Sequence, residues 1–175
     1  MARRNNVTPF SREYRRPRRW GMGLPPRRPW RRWPGHAKVG LVAVCLVLVA
    51  PRAGDVINAG VTATDGCRIW GIVDGDTVRM YCPGTGSAST RLTGFDTPEF
   101  DAACGREFAM AWLATQALRW QIWRAGEIAV RDRGEDRFGR RLARVLVDGV
   151  PLAGRMVGTG LARAHAGGRR PGWCG

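Results

Sequence analysis

Short apolar runs separated by turn residues make up most of the chain from residue 67 onward, and this pattern predicts β-strands. The predicted strands cover residues 67–73, 77–82, 90–95, 126–131 and 142–147. Turns and loops are predicted between them at Asp74-Gly75, residues 83–89, residues 133–139 and Asp148-Gly149. The shortest connection, Asp74-Gly75, is typical of a two-residue hairpin turn. Pro98 ends the third strand, because proline cannot donate to a strand ladder.

Two segments have helical spacing instead. Residues 105–120 repeat apolar side chains at intervals of three and four, with Glu107 in the first turn, where a carboxylate suits the helix dipole. Residues 152–160 are predicted to form a second, shorter helix. Three strands, a helix, two strands and a helix predict a mainly β protein of the α+β class, with a five-stranded OB-like β-barrel and two to three α-helices. The helical tryptophans are expected to be buried or half-buried: Trp112, Trp120 and Trp123.

The N-terminal third of the chain has a different composition. Residues 1–38 are rich in arginine, proline and tryptophan without any period, so we expect them to be disordered. Residues 39–50 are uncharged and apolar, but 12 residues are fewer than the about 20 that span a membrane. We divide the chain into a basic segment with its apolar run (1–53), a linker (54–66), a domain (67–166) and a C-terminal tail (167–175) that is loose unless Cys174 holds it.

The apolar run is typical of the hydrophobic region of a secretory signal, because basic residues precede it and small residues follow it. Ala50, Ala53 and Ala59 offer cleavage positions. The preceding basic segment is long for a signal, and a start at Met22 would give the usual length. We therefore expect a secreted or periplasmic protein. The alternatives are an uncleaved anchor in the inner membrane and a buried element of the domain.

The formal net charge of +15 is concentrated outside the predicted domain. Residues 1–53 contain 13 of the 29 lysine and arginine residues and one acidic residue, Glu13. Residues 54–175 contain 16 arginines and 13 acidic residues, so this part is only weakly basic. A site for a polyanion must therefore be inferred from where the arginines stand, and not from the total charge.

The cysteines predict two disulfides in an exported chain. There are five of them: Cys45, Cys67, Cys82, Cys104 and Cys174. Cys45 lies in the apolar run and would leave with a cleaved signal. If the first hairpin has a two-residue turn, Cys67 stands directly opposite Cys82, at nearly disulfide distance. Cys104 then pairs with Cys174 by elimination. A zinc site is the alternative, but no C-x-x-C pair or neighbouring histidine supports one.

Three short polar sequences stand at the ends of the predicted strands. They are Asp74-Gly75-Asp76-Thr77, Arg91 with Asp96-Thr97-Pro98-Glu99, and Asp136-Arg137-Phe138-Gly139-Arg140. Three oxygen acids, Asp76, Asp96 and Glu99, form a hard ligand set that prefers Ca²⁺ or Mg²⁺ to Zn²⁺. Two arginines, Arg91 and Arg140, can each hold phosphate oxygens bidentately. Each sequence alone is typical of a turn or a solvated loop, but together they predict metal-dependent hydrolysis of a phosphodiester.

In these motifs the chain resembles the staphylococcal nuclease (thermonuclease) family. The matching stretch, residues 67–164, contains Val73-Asp74-Gly75-Asp76-Thr77-Val78, Arg91-Leu92, Phe95-Asp96-Thr97-Pro98-Glu99, Asp136-Arg137-Phe138-Gly139-Arg140-Arg141-Leu142-Ala143 and Gly160-Leu161-Ala162. The resemblance implies an OB-like barrel, in agreement with the element order above. It also implies a nuclease that cleaves DNA or RNA with the help of Ca²⁺, with Mg²⁺ as an alternative.

The resemblance also implies a role for each residue of the site. Asp76 and Asp96, with the carbonyl of Thr97, would ligate Ca²⁺, and Asp74 would support them from nearby. Glu99 would act as general base or orient the attacking water. The two arginines, Arg91 and Arg140, would bind the scissile phosphate and stabilise the transition state.

Two features depart from the family pattern. The stretch from Glu99 to Gly105 is shorter than the corresponding loop of the best-known member. Ala164-His165-Ala166 stands where that member has tyrosines, so no base contact is carried over to these positions.

The competing function is a non-catalytic module of the same fold that binds nucleic acid or protein. The joint presence of all five charged site residues favours the nuclease. No motif predicts the reading of base edges or a protein partner, so we expect a monomer that cleaves DNA or RNA with little sequence specificity.

Overall fold

The computed structural model describes residues 34–174, and this part of the chain contains three helices and nine strands. The helices are α1 (Gly35–Val61), α2 (Gly105–Trp123) and α3 (Leu152–Gly158). The strands are β1 (Ala63–Thr64), β2 (Arg68–Ile72), β3 (Thr77–Cys82), β4 (Gly86–Leu92), β5 (Gly94–Asp96), β6 (Glu127–Glu135), β7 (Arg141–Val147), β8 (Val150–Pro151) and β9 (Arg163–His165). The sheet belongs to a compact unit, Val39–Gly175. The disorder predicted for residues 1–38 is wrong for residues 35–38, which begin α1, and residues 1–33 lie outside the described residues.

A curled mixed sheet of seven strands, together with a separate two-stranded pair, makes this an α+β protein within the described residues. The strand order is β1-β6-β7-β4-β3-β2, and β8 pairs with β7. Neighbouring strands are antiparallel except for β1 with β6 and β4 with β7, which are parallel. The separate pair is β5 with β9. The predicted α+β class is confirmed, and the half-barrel that the sheet forms is compatible with an OB-like fold.

Most differences from the predicted elements lie at their boundaries. The predicted turn at 83–89 is shorter, since β4 begins at Gly86. The predicted third strand, 90–95, is divided, because Gly94 has a φ of 101° and turns the chain away from β4 to pair with β9. β6 continues through the first part of the predicted loop at 133–139. The local sequence identified the longer elements between residues 67 and 160 but not the short strands β1, β8 and β9, and strand pairing decided where the predicted strands ended.

The first hairpin does not have the predicted two-residue turn. The amide of Val73 donates to the carbonyl of Thr77 at 2.9 Å, which leaves a three-residue loop at 74–76. This loop moves the register of the strands by one residue relative to the prediction. Near the loop, Ile72 therefore faces Val78.

A bulge in β2 reverses this shift. It lies between Ile69 and Gly71, and beyond it Ile69 faces Met80, as the predicted register required. Cys67 and Cys82 therefore meet across the strand ends and form a disulfide. The predicted pairing is correct although the turn on which it was based is not.

The core lies between the sheet and the helices α2 and α3. Its largest buried side chains are Met80, Leu92, Leu118, Ile122, Ile128, Leu152 and Met156. α2 turns its alanines inward, and Ala111 and Ala114 are fully buried. The prediction of buried tryptophans is wrong for Trp112 and Trp120, which are 50% and 57% exposed. The small alanine side chains let α2 approach the sheet closely, and this leaves no room for an indole ring on the inner face.

Helix α1 contains the predicted apolar run and extends well beyond it, to Val61. By length and composition it could cross a membrane, although a signal near the N-terminus meets the same criterion. The large apolar side chains between Val39 and Val49 are all more than half exposed. Residues 54–61, which the sequence analysis placed in a linker, are helical. β1 then follows and pairs with β6.

The last turns of α1 are joined to α2 through a buried carboxylate. Asp55 is 4% exposed and accepts hydrogen bonds from Arg119 Nε (3.0 Å) and Trp123 Nε1 (2.9 Å). It also accepts one from the amide of Ile72 in β2, at 3.2 Å. The indole of Trp123 lies directly over Gly54, where an added Cβ would be 2.5 Å from the ring. Residues 54–66, predicted as a linker, therefore pack against the domain through Gly54, Asp55 and β1.

Candidate active site

The loop between β2 and β3 places Asp76 at the edge of the core. The side chain of Asp74 caps this loop by accepting a hydrogen bond from the amide of Asp76 at 3.0 Å. Gly75 is pressed against the next part of the site, because an added Cβ would be 2.7 Å from Thr97 Oγ1 and 2.9 Å from the Ala114 Cβ. The carbonyl of Asp76 accepts from the amide of Leu92 at 2.8 Å, which ties the loop to β4. These contacts hold Asp76 in place, and the residue is only 1% exposed.

Arg91 lies between the two buried aspartates. It stands on β4 opposite Thr77. Its Nη2 forms an ion pair with Asp76 Oδ2 and lies 3.4 Å from Asp96 Oδ1. Asp96 reaches this position because it is the last residue of β5, which leaves the main sheet. As whole residues, Asp76, Asp96 and Arg91 are 1%, 2% and 9% exposed.

Glu99 lies at the solvent side of this cluster. Its Oε1 is 4.0 Å from Arg91 Nη1, and its side chain is 43% exposed. Thr97, between the two acids in sequence, is 2% exposed. The structure thus brings together five predicted site residues: Asp76, Arg91, Asp96, Thr97 and Glu99.

Arg140 lies apart from the carboxylates, in the loop that joins β6 to β7. Asp136 organises this loop by accepting from the amides of Phe138 and Arg140 and from Arg140 Nε, at 2.8–2.9 Å. Desolvation acts to raise the pKa of Asp136, but these hydrogen bonds from Arg140 and Phe138 outweigh it and lower the pKa. The guanidinium of Arg140 is held 5.7 Å from the ring centre of Phe138.

A groove of about 1370 Å³ connects Arg140 with Arg91. Its lining includes seven arginines and one acidic residue, Asp136. The arginines are Arg91, Arg133, Arg137, Arg140, Arg144, Arg169 and Arg170. This basic groove is a stronger concentration of positive charge than the composition of residues 54–175 indicates. Its charge suits a polyanionic chain.

The C-terminal tail adds a residue that the sequence analysis missed. Arg170 Nε lies 2.9 Å from Asp96 Oδ1, and its Nη1 lies 2.5 Å from Glu99 Oε1. The tail is held by the predicted Cys104–Cys174 disulfide. The predicted disulfide could have indicated the contact between Arg170 and Glu99, because it brings residues just before Cys174 close to those just before Cys104.

The carboxylates of the site are crowded, and this changes the acidity of Asp76. The pKa of Asp76 is raised to about 7: burial is the largest cause, Asp74 and Glu99 act in the same direction, and Arg91 and a hydrogen bond from Thr77 oppose the shift. Two buried carboxylates close together fit a hard divalent cation, which would offset their mutual repulsion. Asp76 and Asp96 can supply these oxygens, together with the backbone of Thr97.

A second group of possible ligands does not fit a metal. Among the described residues, Cys104, Glu107 and Cys174 have ligand atoms within 4.8 Å of one another. Both sulfurs belong to the disulfide and therefore offer no thiolate. Glu107 instead accepts from the amide of Ala103 at 3.1 Å, next to the start of α2.

The raised pKa of Asp76 predicts that stability depends on pH. In chelator, the free energy of unfolding should fall as the pH rises from about 4 to about 7. Asp76 binds a proton in the folded state over this range while the unfolded chain, with a pKa of 3.8, has lost it. Its contribution is complete below pH 3.8 and is lost as the pH passes through about 7.

Urea unfolding of the wild type and of Asp76→Asn across this pH range measures the effect. The asparagine cannot titrate, so the difference between the two proteins isolates Asp76 from the other acids. Parallel pH profiles for the two proteins would show that Asp76 ionises normally in the folded state.

No protein-family model matches this sequence, and no curated protein matches it significantly. The geometry itself defines the class of site: two buried aspartates bridged by an arginine, an accessible glutamate beside them, and a groove lined with arginines that shares Arg91 and Arg170 with this group.

Proposed function

We propose that this chain is an exported, Ca²⁺-dependent nuclease that hydrolyses the phosphodiester bonds of DNA or RNA. The observation that carries the proposal is the basic groove, because two of its lining arginines, Arg91 and Arg170, are the ion-pair partners of Asp76, Asp96 and Glu99. A polyanion is attracted by the arginines of the groove. The carboxylates paired with these arginines would hold the cation that a metal-dependent hydrolase needs at the phosphate.

The proposed roles follow from burial and position. Asp76 and Asp96, with the carbonyl of Thr97, would hold the Ca²⁺ ion, and Mg²⁺ is the alternative. The bound cation supplies Lewis-acid polarisation of the phosphate and stabilises the charge that develops on it. Glu99 is accessible to water, so it can orient the attacking water and accept its proton.

Two arginines act on the substrate from different sides. Arg91 is held in the floor of the site by Asp76, and Arg140 is held in the wall of the groove by Asp136. Guanidinium groups fixed in this way can bind the scissile phosphate and the charge of its transition state without large reorganisation. The ion pair with Asp136 occupies Nε of Arg140, and the two terminal nitrogens of its guanidinium are the atoms we assign to phosphate.

The fold supports the same proposal. We assign the half-barrel to the OB-like class, with β2, β3, β4, β6 and β7 as its five strands. This is the architecture that the resemblance to the staphylococcal nuclease family implies. Little sequence specificity is expected, since arginines that bind phosphates carry no information on base identity. Nothing in the site distinguishes DNA from RNA, and we propose both as substrates for a monomer.

Export is supported by the apolar helix and by the two disulfides, which persist in oxidising compartments. We propose a secreted or periplasmic protein, with an anchor in the inner membrane as the alternative. Cleavage after Ala50 or Ala53 would leave Asp55 in the mature chain with its partner Arg119. Cleavage after Ala59 would remove it and leave Arg119 buried and unpaired, so we favour the two earlier positions.

Digestion of nucleic acid by the purified chain from residue 54 onward tests the function. Plasmid DNA and total RNA are incubated with the oxidised protein in Ca²⁺, in Mg²⁺ and in chelator. We expect cleavage with Ca²⁺ and none with chelator, because the chelator removes the cation that polarises the phosphate. Folded protein that binds nucleic acid but cuts neither substrate in any metal would instead establish a binding module.

A further inference from the structure

Arg170 contacts the same two acids that surround Arg91, but from the solvent side. Both arginines share Asp96 Oδ1 and Glu99 Oε1 as partners. Their exposure differs: the side chain of Arg91 is 11% exposed, whereas that of Arg170 is 33% exposed. A phosphate that enters along the groove can therefore reach Arg170 more easily than Arg91.

The tail that carries Arg170 is fixed at both ends. On one side it follows β9, which is paired with β5. On the other side Cys174 is bonded to Cys104, and Trp173 is 7% exposed beneath the guanidinium of Arg163, 3.7 Å from its ring centre. Arg163 Nη1 also donates to the carbonyl of Gly172 at 3.0 Å. These contacts place Arg170 within reach of Glu99, 71 residues earlier in the sequence.

The disulfide has a specific part in this arrangement. Cys104 lies five residues after Glu99, and Cys174 lies four residues after Arg170. The covalent bond therefore joins the two short segments that bear the ion pair. Without it, the tail would be restrained by the contacts of Arg163 with Trp173 and Gly172 and by the paired strand β9.

We propose that Arg170 is a substrate-binding residue that contacts a phosphate of the nucleic acid, and that the Cys104–Cys174 disulfide holds it at the site. The proposal rests on the proposed function, since it names a further contact to the same polyanionic substrate. An incoming phosphate offers Arg170 two anionic oxygens in place of its carboxylate partners, and a guanidinium binds such a pair bidentately. Arg170 then releases Glu99 for its contact with water.

Binding of a fluorescein-labelled oligothymidylate in chelator tests the proposal without cleavage. The full-length sequence is expressed with its own export segment, and the protein recovered is used as it is, in a nonionic detergent. Fluorescence anisotropy is measured over a range of salt concentrations for the wild type and for Arg170→Ala, Arg170→Lys and Arg124→Ala. Arg124 caps the C-terminal end of α2, outside the groove, so its loss is a matched change of charge.

We expect Arg170→Ala to weaken binding about tenfold and to reduce the salt dependence by about one counterion. Arg170→Lys should recover part of the affinity, because it keeps the charge but loses bidentate geometry. Arg124→Ala should bind like the wild type. If Arg170→Ala bound the oligonucleotide as tightly as the wild type or more tightly, the proposal would be overturned. Arg170 would then serve only as the ion-pair partner of Asp96 and Glu99.

The disulfide is tested by the double variant Cys104→Ser/Cys174→Ser, alone and combined with Arg170→Ala. We expect it to lose about as much affinity as Arg170→Ala, and the combination to lose little more, since both changes remove one contact. Fully additive losses would overturn the role given to the disulfide. A wild type that binds nucleic acid but never cuts contradicts the proposed nuclease and not this contact, whereas a wild type that binds none contradicts both.

Discussion

Replacement of Glu99 by glutamine should reduce the rate of nucleic-acid cleavage by about 10²- to 10⁴-fold, the usual range for a residue that transfers a proton. The amide keeps the shape of the carboxylate but can neither accept the proton nor attract the water as strongly. Because 43% of the side chain is exposed, its neutralisation should leave the fold intact. The matched control is Glu127→Gln, which removes an exposed acid at the start of β6, away from the groove.

Arg140→Ala belongs to the same experiment and should cost about 10²- to 10³-fold in rate, as the loss of one transition-state donor does. The control is Arg124→Ala. Single-turnover digestion with Ca²⁺, beside thermal unfolding of each variant, separates loss of chemistry from loss of fold. If both variants cut like the wild type, Glu99 and Arg140 are not the catalytic groups, and the site must be placed elsewhere on the domain.

The Asp55→Ala variant is expected to lose about 3–5 kcal/mol in the free energy of unfolding, the cost of breaking a buried ion pair from one side. Arg119 is 7% exposed, and it would retain its charge without its partner. Trp123 Nε1 would also lose its acceptor. Asp55→Asn should cost less, because the amide oxygen can still accept a hydrogen bond.

Urea unfolding with both disulfides intact measures this loss, and Asp101→Ala, which changes an exposed acid, is the control. A chain that begins at residue 67 should be destabilised as well, since it lacks Asp55 and β1. If the shortened chain were as stable as one that begins at residue 54, the end of α1 would contribute nothing to the domain.

Local patterns in the sequence were sufficient for the longer strands, α2, α3 and their order, but not for the end of α1 or the short strands β1, β8 and β9. Alternation of apolar residues, helical spacing and the turn at Asp148-Gly149 act between residues a few positions apart, so they can be read without the fold. The residue types of the candidate site were readable for the same reason, because Asp76, Asp96 and Glu99 stand beside turns that end strands. Their chemistry could be predicted, although their distances could not.

The disulfide Cys67–Cys82 depended partly on local sequence patterns and partly on the tertiary structure. The strands and their antiparallel pairing were predictable, but the turn length was wrong by one residue and the bulge after Ile69 was not visible in the sequence. The longer turn shifts the strand register by one residue and the bulge shifts it back, so the predicted pair forms. A bulge depends on how both faces of a strand pack, and no local pattern specifies it.

Only the tertiary structure decided which distant side chains meet. Asp55 and Arg119 are 64 positions apart, and Arg170 and Glu99 are 71 apart, so their ion pairs depend on how whole elements pack. The exposure of Trp112 and Trp120 was decided in the same way, by alanines that let α2 approach the sheet. The sequence alone determined the elements and the chemical groups, because those follow from neighbours along the chain. Packing between elements determined the basic groove and the contacts around it, because these join residues that the chain itself keeps far apart.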